Sequence, residues 1–141
     1  MIRALSKHNR DAFRRIADVL IPEADGMPSA SQVAVHLAGI DHIRELRPEL
    51  DENLCRGLNA VGDLDCDEAI AYLDAHDPSA LGVIALVATS AYYLVPAVRQ
   101  RLGYPGQLSR PATEAEEGDC FADDLLQPVI DRGPIYRKAR L

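Results

Sequence analysis

Apolar positions along the first sixty residues recur with the 3.6-residue period of helices. Phe13, Ile16, Ala17 and Leu20 fall at i, i+3, i+4 and i+7, with Arg10, Arg14, Arg15 and Asp18 off that stripe, which predicts an amphipathic helix from about 6 to 21. Pro22 ends it, and residues 23–28 have the composition of a turn-rich connection. Ser29 or Ser31 is placed to cap a second helix through Val33, Leu37 and Ile40 that stops before Pro48. Leu50, Leu54, Leu58 and Val61 align in a third, from about 48 to 61, and Gly62 breaks the pattern. The acids of D-L-D-C-D-E, residues 63–68, favour the start of a short fourth helix through Ile70 and Leu73.

The stretch from 77 to 107 has a different pattern. Asp77 can accept from the free N–H groups of a first helical turn, and Pro78 suits the first helical position. Leu81, Ile84, Ala85, Ala88, Tyr92 and Val95 then fall on one face and Val83, Leu86, Val87, Ser90 and Leu94 on the opposite one. A helix apolar on both faces must be covered on every side, by its own chain, by lipid or by a partner. Pro96 is expected to kink its last turn, Arg99 and Arg101 suit its C-terminus, and Gly103 is placed to end it. Beyond Gly103, G-Y-P-G-Q-L-S-R-P has turn chemistry at nearly every step, and residues 113–124 carry six acids and no base. This tail is expected to be extended, with one short helix near 121–127 and a basic end. No run alternates with period two for long enough to make a strand. The expectation is an all-α chain: a small helical bundle around one long apolar helix over residues 1–102, followed by a loop and extended C-terminal arm over 103–141 that packs on a partner.

Composition narrows the function classes. A chain of 141 residues suits one domain, and with no Trp the aliphatic residues must supply most of its packing. Fifteen bases against twenty-two acids give a net charge of −7, which argues against a nucleic-acid partner. Cys55, Cys66 and Cys120 are an odd number without metal-like spacing, so reduced thiols are expected rather than a disulfide framework. Arg14-Arg15 is followed by Ile16-Ala17-Asp18 and not by an apolar run, so the pair reads as the solvated side of a helix and not as a twin-arginine signal. With no leader visible, the expected location is the cytoplasm, or the periplasm where a partner supplies the export signal.

Candidate chemistry is sparse. Asp63, Asp65 and Asp67 resemble the start of a calcium loop, but Glu68 and Asp74 stand where such a loop has Gly and Glu, which favours a solvated, helix-capping cluster. His8, His36, His42 and His76 are never paired at i, i+3 or i+4, so no zinc site is expected. Residues 57–62 have the outer glycines of a phosphate loop without the following Lys-Ser or Lys-Thr, and there is no G-x-G-x-x-G. No catalytic, cofactor-binding or metal-binding residue is therefore assigned in this chain. Residues 80–98 are nineteen positions without a charge, about 28 Å as a helix, which raises a membrane span as an alternative. Against it stand Thr89, Ser90, Tyr92, Tyr93 and Pro96 in the second half.

Two segments are familiar together: L-I-P-E-A-D-G-M-P-S-A-S at 20–31, and the tyrosine-bearing helix leading into L-G-Y-P-G-Q at 102–107. Joined by helices at this spacing, they resemble the gluconate 2-dehydrogenase subunit 3 family over about residues 10–111. The resemblance implies a small accessory subunit of a heteromeric dehydrogenase whose large subunit, of the glucose-methanol-choline (GMC) oxidoreductase type, carries FAD and oxidises a sugar or other alcohol. A cytochrome subunit can complete the electron path. Many relatives begin with a twin-arginine leader that this sequence lacks. The expected partner-facing residues are Tyr92, Tyr93, Arg99, Gly103, Tyr104, Pro105 and Gly106, Gly and Pro fixing the loop and the rings supplying contact area. The alternatives are a stand-alone helical enzyme with a site drawn from His, Cys and acids, and a membrane-anchored helical module.

Overall fold

Three helices begin where the sequence offers a side-chain cap. In the computed structural model, which describes residues 4–104, 106–107 and 123–133, α1 (Lys7–Leu20) follows Ser6, whose hydroxyl accepts from the Asn9 N–H at 3.1 Å. Asp65 does the same for α4 (Cys66–His76), accepting from the Glu68 N–H at 2.9 Å. Asp77 does so for α5 (Pro78–Leu94), accepting from the Ala80 N–H at 3.1 Å with Pro78 in the first turn. Between these lie α2 (Ile40–Leu46), a 3₁₀ turn at Pro48–Leu50 and α3 (Asp51–Val61). After them come α6 (Pro96–Arg101) and α7 (Asp123–Arg132). Among the described residues there is no strand, only one isolated bridge between Ala24 and Met27, so the fold class is all-α.

The chain divides into two compact units, Met1–Gly106 and Gln107–Leu141. In the first, α5 touches α1, α2, α3, α4 and α6. Phe13, Ile16, Leu54, Leu58, Leu73, Ile84 and Val87 are fully buried between them. Each such side chain contributes about 1.5–3 kcal/mol through burial. Small residues set the closest approach: a Cβ on Gly57 of α3 would lie 2.8 Å from the Ala80 Cβ of α5. Arg15 turns in to donate to the Gly62 carbonyl at 2.7 Å, satisfying a carbonyl just past the end of α3.

Three expectations need correction. The second helix does not run from 29 or 31 to 46. Ala34 has a left-handed φ of 57°, a π-helical turn spans Val35–Gly39 with Leu37 outside helical space, and regular helix starts only at Ile40. The cause is tertiary: the Arg10 guanidinium takes the carbonyls of His36 and Leu37 at 3.2 and 3.1 Å and both Asp41 carboxylate oxygens at 2.8 and 2.7 Å. Buried Arg44 extends the network to Asp51 at 2.6 Å. Those bonds replace helical ones for the freed backbone groups.

The stretch from 77 to 107 is two helices, not one kinked helix. Pro96 forces Val95 into extended geometry (φ −66°, ψ 122°), which ends α5 at Leu94 and starts α6 in a new direction. Among the described residues no helix is long and apolar enough to cross a membrane. Nor is α5 covered on every side within its unit: Gly82, Leu86, Thr89 and Tyr93, at i, i+4, i+7 and i+11, are exposed.

In the second unit α7 is longer than the short helix expected near 121–127 and passes through Pro128. Gly133, at φ 65°, follows it, its N–H donating to the Ile130 carbonyl at 3.0 Å.

Candidate interaction surface

Residues 20–31 carry their own turn chemistry. Asp25 and Gly26 both have positive φ, 50° and 78°, the pattern of a type I′ turn, and Ala24 and Met27 exchange both backbone hydrogen bonds across it at 3.2 and 2.8 Å. The little hairpin is held from three directions. The Ser31 N–H donates to Asp18 of α1 at 2.8 Å, the Tyr92 hydroxyl of α5 donates to the Pro28 carbonyl at 2.7 Å, and Arg101 of α6 donates to the Gly26 carbonyl at 3.0 Å. Residues 20–31 and the α5–α6 segment are thus bonded to each other in space.

Tyr92 and Tyr93 divide their roles. Tyr92 is 3% exposed and stands edge-on to the Tyr93 ring at 5.5 Å. Burial, and then the neighbouring Tyr93, push its phenol above the ordinary range, so at neutral pH it is a permanent donor to Pro28. Tyr93 is 51% exposed. Of the expected partner-facing residues, then, Tyr92 is a structural fastener beneath the surface and Tyr93 stands on it.

The end of α6 is shaped by its terminus. The Tyr104 N–H reaches the Arg99 carbonyl at 2.9 Å and the Gly103 N–H reaches the Gln100 carbonyl at 3.1 Å, a Schellman closure that needs the left-handed φ of 68° found at Gly103. That turn leaves Tyr104 54% exposed, with Arg99 half-buried beside it and Gly106 at φ 93°. Pro105 lies outside the described residues. Three open grooves surround this end of the molecule. One of about 420 Å³ runs between Leu20, Met27, Tyr93 and Leu102, another of about 420 Å³ between Leu37, Leu94 and Val95, and a third of about 430 Å³ between Pro96, Arg99 and Tyr104.

No protein family, curated protein or solved structure matches this chain in the comparisons made. What its surface does is argued from its own geometry and chemistry.

Sequence reasoning missed Leu20, Leu37, Leu94 and Leu102, all exposed at this end. Leu20 belongs to the core stripe of α1 by periodicity, yet it lies in the last turn, beyond the cover given by α3 and α5. The last-turn position was the available signal. The polar candidates go elsewhere. Asp65 is spent on capping α4, and His8 faces Asp63 at 3.9 Å. His76 stacks on Tyr72 at 4.4 Å and bonds the Tyr72 carbonyl through Nδ1. Cys55 and Cys66 are free, burial and Asp51 push the Cys55 thiol up, away from reactivity, and Cys120 lies outside the described residues. Among the described residues no three His, Cys, Asp or Glu side chains converge as metal ligands.

Proposed function

We propose that this chain is a noncatalytic small subunit that binds and stabilises an FAD-dependent, GMC-type dehydrogenase or oxidase acting on a sugar or other alcohol. In this reading the first unit gathers its helices around α5, the segment beyond 106 lies on the large subunit, and FAD and the reacting groups belong to that partner. The observation that supports it most is the set of large apolar side chains left exposed around the α5–α6 end: Leu20, Tyr93, Leu94, Leu102 and Tyr104. Large exposed apolar patches on small proteins mark contact sites more often than they are left bare. The hairpin of residues 20–31, bonded to α5 and α6 beforehand, lowers the cost of ordering that face on binding.

The test is co-expression with a GMC-type flavoprotein encoded beside this chain's gene. The expected outcome is a yellow complex in which flavin absorbance and this chain co-elute, and in which the chain is more stable than it is alone. A stable, soluble monomer that never copurifies with a flavoprotein overturns the reading.

A further inference from the structure

Two of the grooves meet at Pro96, which lines both. Through that shared residue the lining of one groove, with Leu37 on the π-helical turn and Leu94 and Val95 at the α5–α6 break, adjoins that of the other, with Arg99 and Tyr104, and the pair is termed the trough. Its walls are mostly apolar up to Pro96, with the His42 ring among them, and beyond Pro96 they carry the Arg99 guanidinium and Gln100. In a chain with twenty-two acids, none of the described lining residues is an acid. Among the described residues no carboxylate pairs with Arg99, and of the arginines likewise without one it is the one that lines these grooves. The trough therefore presents an aliphatic channel with an uncompensated positive end, on a molecule whose charge is otherwise strongly negative.

We propose that this trough receives an aliphatic segment of the partner flavoprotein that carries a carboxylate at one end, its apolar side chains lying over Leu37, Leu94 and Pro96 and its carboxylate pairing with Arg99. The assignment rests on the flavoprotein-subunit reading and adds to it which surface is used and the chemistry of what it takes. Charge complementarity selects this occupant. A carboxylate is repelled by most of this surface, so Arg99 fixes where along the trough the segment can lie. A second copy of the chain is a poorer fit: two-fold pairing sets the same acid-free trough against itself, leaves Arg99 unmatched and brings two net charges of −7 together.

The test measures the affinity of the full-length chain and its variants for the purified flavoprotein at low and high salt. Leu94→Asp is expected to weaken binding about 100-fold, as is Leu37→Asp, because each places a charge in an apolar contact. Arg99→Glu is expected to weaken it about 10-fold at low salt, chiefly in association rate, with the loss shrinking at high salt and largely restored in Arg99→Lys. Leu46→Asp, exposed outside the trough, is expected to bind as wild type. Melting temperatures show that the variants are folded, and two leucine variants guard against one failing to fold. If the wild type binds and both leucine variants bind equally well, the trough assignment is overturned and the subunit reading stands. If Arg99→Glu has no effect at any salt, the carboxylate is overturned. If the wild type does not bind at all, the subunit reading falls and takes this occupant with it. Trough variants that then alter sedimentation of the chain alone assign the trough to a second copy and overturn the proposal.

Discussion

At its N-terminal end one side of α5 is closely packed, while Gly82 and Leu86 lie exposed on the other. Asp77 caps the helix and pairs with Arg56 at 2.7 and 3.1 Å, Ala80 sits against Gly57, and Ile84 is fully buried against α3. At its C-terminal end the same helix passes from buried Ala88 and Ala91 to Tyr93 and Leu94, which face outward, and hands over to α6 with Leu102 and Tyr104 exposed. Hydropathy does not distinguish the two ends, since both are apolar. The neighbours do: α3 and α4 flank the first, whereas the second is flanked on one side by the π-helical turn, where Gly39 meets Ala91, and on another by a short hairpin held by polar bonds. Apolar area that a fold leaves uncovered while fastening the backbone around it is suited to contact, whereas apolar area matched by small residues on a neighbouring helix is suited to stability.

The largest effect is expected from breaking the closely packed end. Ile84→Ala leaves a cavity between α3 and α5 and should cost about 3 kcal/mol, read from the denaturant midpoint, while partner affinity of the folded fraction is unchanged. Next comes the fastener beneath the open end. Tyr92→Phe leaves the Pro28 carbonyl without its donor and should cost about 1 kcal/mol, with faster amide exchange confined to residues 20–31. Tyr93→Ser, on the surface itself, should change stability by less than about 0.5 kcal/mol and yet reduce the yield of flavoprotein complex. Equal stability losses from Tyr93→Ser and Ile84→Ala would erase the distinction between the two ends.

The smallest effect is one of pH. His36 lies beside the hairpin with its Nδ1 buried and unbonded, and burial, then Arg14, lower its pKa from 6.5, with Asp18 and Asp11 opposing and Arg10 adding to the fall. The unfolded chain therefore takes up this proton first. Its contribution to stability is complete above pH 6.5 and is lost as pH falls from there through the lowered folded value. His36→Leu should remove that part of the acid-side loss, seen as a smaller drop in melting temperature between about pH 7.5 and about pH 5.5.

The starts of helices were legible because capping is local: Ser6, Asp65 and Asp77 lie next to the turns they serve. Gly103 was legible as a helix end for the same reason. The break at Val95 was underestimated because the restriction that proline places on its predecessor is stronger than the single hydrogen bond it removes. The irregular stretch of 34–39 was not legible at all. Val33, Leu37 and Ile40 keep a helical spacing, and what defeats it is Arg10, twenty-six residues upstream of His36, taking the backbone carbonyls. At the surface, Tyr93 and Tyr104 stand exposed and Arg99 half-buried. The burial of Tyr92 was hidden because its partner is a backbone carbonyl sixty-four residues away.

Amide exchange of the chain in complex with the GMC-type flavoprotein, against the chain alone, tests the central claim most directly. New protection is expected at residues 20–31 and 93–104, with residues 51–76 unchanged. Protection concentrated on α3 and α4, with the α5–α6 end exchanging as before, would contradict it.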